Sequence, residues 1–397
     1  INTVTGAGNY LYEASVTINA TLKTGYHWVN WTGTHTTTTQ NYTFTMPASS
    51  VTDTANGAAN TYNITLNNGN ATTDGTSTIY EVYNTNIYLD SAKTKAMTTS
   101  ANPITVPQRA YTVTYNANEG EVETETQTAT YTFAGYYDGT IQMINGSGFI
   151  TNNFQTTKYT SAKTLTSSWT GGNVTTPVPT RTGYTFTGWY DSAEGGNKVV
   201  DGNATYVATE NKTLFAHWSA EDDIAYKVQH WQQNVNGTAG VYNSTNYTIK
   251  DIDNLTGEAD SKVTPSLKSY EGFTAAQEAE EVTIAADGSL VVNYYYDRES
   301  FTVTLNKGTG ISEVTGANSY LYGASVTVNA TLEEGYTWNG WTGTYTASTQ
   351  SYTFTMPAGN VEMTANALNN YTIVFNGNNA TGGSTTSMDM VYGTAKD

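Results

Sequence analysis

No cysteine occurs anywhere in the 397 residues. Disulfide staples are therefore excluded, and any zinc site would have to be built from His and carboxylates alone. Their absence over this length fits a bacterial or archaeal surface protein exported without disulfides. Arginine is almost as scarce: Arg109, Arg181 and Arg298 stand far apart. Lys and Arg number 16 against 34 Asp and Glu, a net charge of −18. Phosphate neutralisation needs clustered cations, so nucleic acid is excluded as a partner. No run of ~18 apolar residues occurs, and no membrane span is expected in this chain. No basic-then-apolar leader and no wall-sorting or lipidation tail is recognised. An export signal and anchor are therefore expected outside residues 1–397. Proline is rare, at seven residues, and sustained helical periodicity is nearly missing.

What fills the chain is threonine, asparagine, glycine and tyrosine. Thr and Tyr suit half-buried pleated strands, whereas Asn and Gly suit tight turns. The expected fold is mostly β. Internal repetition then sets the organisation. Residues 311–367 repeat residues 1–57 without a gap, with roughly two-thirds of positions identical. The match resumes between "YNITLNNGNATTDGTSTIYEVYNT" at 62–85 and "YTIVFNGNNATGGSTTSMDMVYGT" at 371–394. The chain thus reads as one super-repeat of about 310 residues followed by the start of another. It is expected to begin inside a module, without the equivalent of "FTVTLNKGTG" at 301–310, and to end inside one, as part of a longer protein. A simple duplicated pair of modules is the alternative.

A weaker repeat joins "YTFAGYY…KTLTSSW" at 131–169 to "GYTFTGWY…KTLFAHW" at 183–218. Each runs from an aromatic strand to a closing strand ending in Trp169 or Trp218. The stretch 225–299 differs: "AYKVQHWQQNVNG" predicts a strand and turn, and "VTIAADGSLVVNYYYDR" a hairpin about Asp287–Gly288. "AAQEAEE" at 275–281 is the best helix candidate.

The order "VPTRTGYTFTGWYDSAEGGNKV…ENKTLFAHW" at 178–218 resembles the Listeria–Bacteroides repeat, the B-repeat of internalin-type surface proteins. Residues 1–59 and 301–369 resemble its divergent form through "GYTWNGWTG" and "YTFTMPAGNVEMTA". Residues 225–299 resemble a MucBP-like module through "YKVQHW", "KSYEGFT" and "ADGSLVVNYYYDR". The resemblance implies a tandem array of small β-grasp-like or β-sandwich-like modules, arranged as beads on a string. It also implies an extracellular place on a cell surface, chiefly of Gram-positive bacteria with archaea possible in the family's range. The expected modules are 1–59, 60–110, 111–170, 171–220, 225–299, 300–369 and 370–397.

Candidate chemistry is sparse. His27 and His35 share a module, but its close copy has Thr337 and Tyr345 at those positions, which speaks against a metal or catalytic pair. The other histidines are His217 and His230. "DIDNLTGEADSK" at 251–262 begins like a calcium loop, but Leu255 and Lys262 stand where ligands belong. Looser calcium binding by Asp251, Asp253 and Asp260 remains an alternative to a purely structural role. Glu119, Glu121, Glu123 and Glu125 would share one solvated face if that stretch is extended. Acceptor sequons recur at Asn19, Asn30, Asn63, Asn203, Asn211, Asn243 and Asn329. No serine-hydrolase, phosphate-loop or paired-carboxylate motif is found, so neither an enzyme nor a cofactor is expected.

The aromatic strands are the open contest. In "GYTFTGWY", strict alternation puts Tyr184, Phe186 and Tyr190 on one face and Trp189 on the other. Small domains without disulfides must bury their largest residues, so core or intermodule packing is favoured over ligand contact. The exposure of Trp189, Trp31 and Trp341 stays open at this point. The expected role is a non-enzymatic stalk or adhesin. Two alternatives stand beside it: a self-assembling filament or sheath, and modules that bind host or microbial glycans or proteins.

Overall fold

The computed structural model describes residues 1–375, 381, 387–393 and 395. The repeat of 62–85 at 371–394 therefore falls partly outside the described residues. The fold is nearly all β, as a tandem series of small modules; among the described residues, the one helix is Asn152–Thr156. The helix expected at 275–281 is not formed. Strand Phe273–Ala275 ends there, and a turn leads to strand Val282–Thr283. Seven residues carrying Glu278, Glu280 and Glu281 cannot offset the cost of helix nucleation. Two compact units result, Ile1–Arg181 with Phe186–Ser219, and Thr182–Thr185 with Ala220–Asp397.

One sheet plan recurs. The strand that opens a module lies parallel to the strand that closes it, a second strand flanks the opener, and the aromatic third strand flanks the closer. The order 2-1-5-3 is that of a β-grasp. It occurs with Thr61–Asn67 against Lys163–Gly171, and with Arg109–Asn116 against Lys212–Ala220. In the second unit it occurs with Ile224–Gln233 against Val291–Arg298, and with Ser300–Lys307 against Val361–Ile373. The last module adds a second sheet of Ile311–Thr315, Ser325–Leu332 and Ser351–Thr355. The strand Ser325–Leu332 shows why the sequence folds this way. Val326, Val328 and Ala330 are buried between exposed Ser325, Thr327 and Asn329, a period of two that gives one wet and one dry face. Each buried valine contributes about 1.5–3 kcal/mol.

In the first unit, strand pairing crosses the expected boundary at 110. Thr61–Asn67 closes with Lys163–Gly171, while Arg109–Asn116, which lies between them in sequence, closes with Lys212–Ala220. The 13-residue strand Thr126–Asp138 serves both. Its residues 126–131 pair with Arg109–Asn116, and residues 131–137 pair with Lys163–Gly171. Two grasp sheets thereby merge into one ten-stranded sheet. Their cores stay separate. One gathers Ile64, Leu66, Phe133, Tyr136 and Leu165, the other Val113, Tyr115, Ala129, Trp189 and Leu214.

Residues 1–59 copy the two-sheet module of 300–367 with two strands fewer among the described residues, the counterparts of Ser300–Lys307 and Asn318–Leu321. Thr3–Thr5, Ser15–Thr21 and Asn41–Thr45 form one sheet, and Tyr26–Gly33 pairs with Asp53–Ala59 alone.

Candidate functional site

The aromatic strands were the strongest candidates for ligand contact, and their side chains lie inside. Four modules carry an aromatic pair three residues apart, each in an edge-on contact. The pairs are Trp28–Trp31 at 5.4 Å, Phe133–Tyr136 at 5.1 Å, Phe186–Trp189 at 5.4 Å and Trp338–Trp341 at 5.6 Å. The second member is buried every time. Strict alternation would put such residues on opposite faces. A β-bulge resets the count: the register slips between Trp28 and Asn30, Phe133 and Gly135, and Trp338 and Gly340. Gly188 holds the same place before Trp189, at φ +141°, a conformation that favours glycine. The expected split of "GYTFTGWY" is corrected accordingly: Phe186 and Trp189 share a face.

The indole N–H groups are satisfied within the core. Trp31 donates to Gln40 O at 3.0 Å, Trp189 to Pro177 O at 2.9 Å and Trp341 to Gln350 O at 3.2 Å. None of the eight tryptophans is exposed. Tyr184 belongs to the second unit, where it packs among Tyr226, Ile284 and Tyr296 and donates to Asp260 at 2.7 Å.

The histidines do not converge. His27 Nδ1 lies 2.8 Å from Asn60 Oδ1, and His217 stacks on Tyr190 at 3.8 Å. His35 lies 2.8 Å from Asp53, which also accepts from the Tyr42 hydroxyl at 3.1 Å. Burial pushes the Asp53 carboxyl up. Hydrogen bonds from the His35 backbone and ring and from Tyr42 outweigh that and hold it below the usual carboxylate range.

The three candidate calcium aspartates have separate partners. Asp251 accepts from Tyr270 at 2.6 Å, Asp253 pairs with Lys268 at 2.6 Å, and Asp260 takes Tyr184. Among the described residues, no group of three or more His, Asp or Glu is placed to hold a metal ion. Glu119–Glu125 is not a continuous strand. Glu119 sits in a turn at φ +71° and pairs with Arg181 at 2.8 Å, and all four glutamates are exposed.

Two clusters had no signal in the sequence, because their members come from separate strands and loops. His230 is fully buried. The Tyr296 hydroxyl accepts the backbone N–H of Lys268 at 2.9 Å, so its own proton points to His230 Nδ1 at 2.8 Å. His230 Nε2 is then the donor toward Asp253, 3.2 Å away. The Lys268 ammonium, bonded to Asp253, holds that carboxyl below its usual range, and Asp253 raises Lys268 in return. The second cluster is an aromatic stack. Tyr242 lies on Tyr295 at 4.5 Å and Tyr295 on Trp231 at 5.9 Å, with Tyr242 exposed.

A repeated β-grasp sheet whose bulged aromatic pairs are consumed in cores is the arrangement of a repeat protein. The repeats are of known kinds. Residues 2–61 and 301–367 match the divergent InlB B-repeat domain, and residues 145–217 match the Listeria-Bacteroides repeat domain. The chain is thus a repeat protein of InlB B-repeat and Listeria-Bacteroides repeat domains, which are typical of bacterial surface proteins and generally non-enzymatic. No helix among the described residues is long and apolar enough to cross a membrane. Among solved structures the chain is similar to the Bacillus anthracis TIE protein. They share 9% identity over 89% of this chain and 59% of that one, at a TM-score of 0.26. The chain spans about three-fifths of that protein's length, and a likeness at this level carries no argument.

Proposed function

We propose that the protein is a non-enzymatic, extracellular, load-bearing stalk on a microbial cell surface, which presents adhesive modules. One observation supports this reading above the others: four times the opening strand of a module is hydrogen-bonded in parallel to its closing strand. Tension applied at the two ends slides such strands past each other. All the bonds between them are then strained together instead of being peeled one by one. Successive clamps are joined with little slack. Only Glu299 separates the closing strand Val291–Arg298 from the next opening strand Ser300–Lys307. On this reading the first unit holds two interleaved modules, 60–171 and 109–220, followed by modules at 224–298 and 300–369.

The test is display. The chain is placed between a wall anchor and an epitope on a bacterial surface, and antibody access to the epitope is measured. Access should fall stepwise as modules 224–298 and 300–369 are deleted. Unchanged access would count against a stalk.

A second reading is favoured by the Tyr242–Tyr295–Trp231 stack. An exposed tyrosine on an aromatic row suits sugar-ring stacking, and would make the 225–299 module a glycan-binding adhesin. Glycan-array binding lost in Tyr242→Ala would support it, and an array without signal would count against it.

A further inference from the structure

Strand Thr78–Val82 carries a charge where its pattern calls for an apolar residue. Ile79 and Glu81 share its dry face, at 0% and 2% exposed, between half-buried neighbours. The internal repeat shows that the fold does not require this carboxylate. Residues 62–85 recur at 371–394, and Met390 stands in the copy where Glu81 stands here. The register is the same in both: Tyr62 pairs with Glu81, and Tyr371 with Met390. A buried carboxylate costs stability unless it is paired. Its presence in this strand therefore asks for a role outside folding.

Glu81 lies in a cleft of about 160 Å³. The floor beside it is apolar: Ile87, Met97, Ile150 and Phe154 are each 5% exposed or less. The rim is polar and exposed, with Thr85, Gln155 and Lys158. The carboxylate is short of partners. It can accept about four hydrogen bonds. Among the described residues it accepts the Tyr159 N–H, at 3.3 and 3.4 Å, which is long for such a bond. Lys158 attracts it through space, but the Lys158 ammonium is itself bonded to Gln155 O at 3.1 Å. One cleft thus offers a buried anion on an apolar floor and a cation at an exposed rim.

We propose that this cleft is a binding site for a short, unbranched ω-amino acid. The ligand's ammonium would sit on Glu81, its methylenes against Ile87, Met97 and Phe154, and its carboxylate at the rim beside Lys158. Both ends are then matched in sign. The size agrees, since a cavity of about 150 Å³ takes up one benzene and a chain of roughly five methylenes is of similar bulk. Lys158 also sets specificity, because a diamine of the same length would bring a second positive charge to it. A free amino acid and the terminal lysine of a peptide share this chemistry. The site is independent of the stalk reading, which its failure would leave untouched.

The experiment uses the whole chain and ε-aminocaproate. Saturable binding with a Kd of about 1 mM is expected, read by chemical-shift changes at the amides of Glu81, Ile87 and Tyr159. Hexanoate, which lacks the ammonium, should bind at least about tenfold more weakly, and hexamethylenediamine a few-fold more weakly. Glu81→Gln should weaken binding at least about tenfold. Glu81→Met, which installs the side chain of the copy, should abolish it while the chain stays folded. Lys158→Ala should erase the preference over the diamine. Nα-acetyl-lysine stands for a peptide's terminal lysine, and whichever of the two amino acids binds tighter names the source. The proposal is overturned if ε-aminocaproate gives no shifts at about 10 mM. It is equally overturned if hexanoate or the folded Glu81→Gln chain binds with parent strength, or if Lys158→Ala keeps the preference.

Discussion

The guanidinium of Arg109 lies over the ring of Tyr131, 4.2 Å from its centroid. This is the residue at which strand Thr126–Asp138 changes neighbours: Tyr131 pairs with Arg109 on one side and with Gly171 on the other. Its hydroxyl also donates to Ala208 O at 2.7 Å. A single side chain thus sits on the seam between two interleaved sheets. Tyr131→Ala is expected to cost about 2 kcal/mol and to weaken both cores together. Hydrogen exchange at the amides of Ile64 and Val113 checks this. Loss of protection in only one of the two would contradict a shared strand.

The bulge makes its own demand. Gly135 has φ +135°, and a β-carbon there would run into the carbonyl of Ile144. Gly135→Val should therefore cost about 3 kcal/mol or more. Trp189→Ala, which empties a fully buried site, should cost about 3–5 kcal/mol. Urea unfolding of each variant measures both. Losses below about 1 kcal/mol would mean that the bulged aromatic pair is not a core element.

Glu81 is 2% exposed, and among the described residues its carboxylate accepts the Tyr159 N–H, at 3.3 and 3.4 Å. Burial raises its pKa, with a partial offset from Tyr159 and Lys158. For an acid raised by folding, the ionised form is penalised in the folded state above the ordinary value of about 4.3. That penalty fades as the pH falls below this value. Glu81→Gln is accordingly expected to raise the melting temperature by about 2–4 °C at pH 7, with no gain at pH 4. An equal gain at both pH values would contradict the burial argument.

Asp53 has the opposite sign. Its carboxyl is held below the usual range by His35 and Tyr42. The stability it contributes is complete above the unfolded value and is lost as the pH falls through the folded one. Asp53→Asn should remove that part of the acid sensitivity of residues 1–59. Trp fluorescence followed from pH 6 to pH 2 reads it. An unaltered acid transition would show that the pair contributes nothing to the module.

Much of this was legible in the sequence, for physical reasons. The duplication of 1–57 at 311–367 is gapless, so one module's plan carries over to the other. The alternation in "SVTVNATL" reports its own buried face. Other features escaped because they are not local. The side on which Trp189 lies depends on a bulge, and one inserted residue reverses every later assignment. The partner of Thr61–Asn67 is about a hundred residues away, past the opening strand of another module, and nothing in residues 60–110 announces it. His230 looks like any strand histidine until Tyr296 and Asp253 arrive from other strands and Lys268 from a loop.

The parallel pairing of opening and closing strands is the basis of the load-bearing reading, and pulling single molecules from both termini tests it most directly. Residues 224–298 and 300–369 should each give one abrupt high-force step. The interleaved residues 60–220 should yield together, releasing about 550 Å of chain at ~3.5 Å per residue. Extension at low force without discrete steps, or separate release of 60–110 and 111–170, would contradict it.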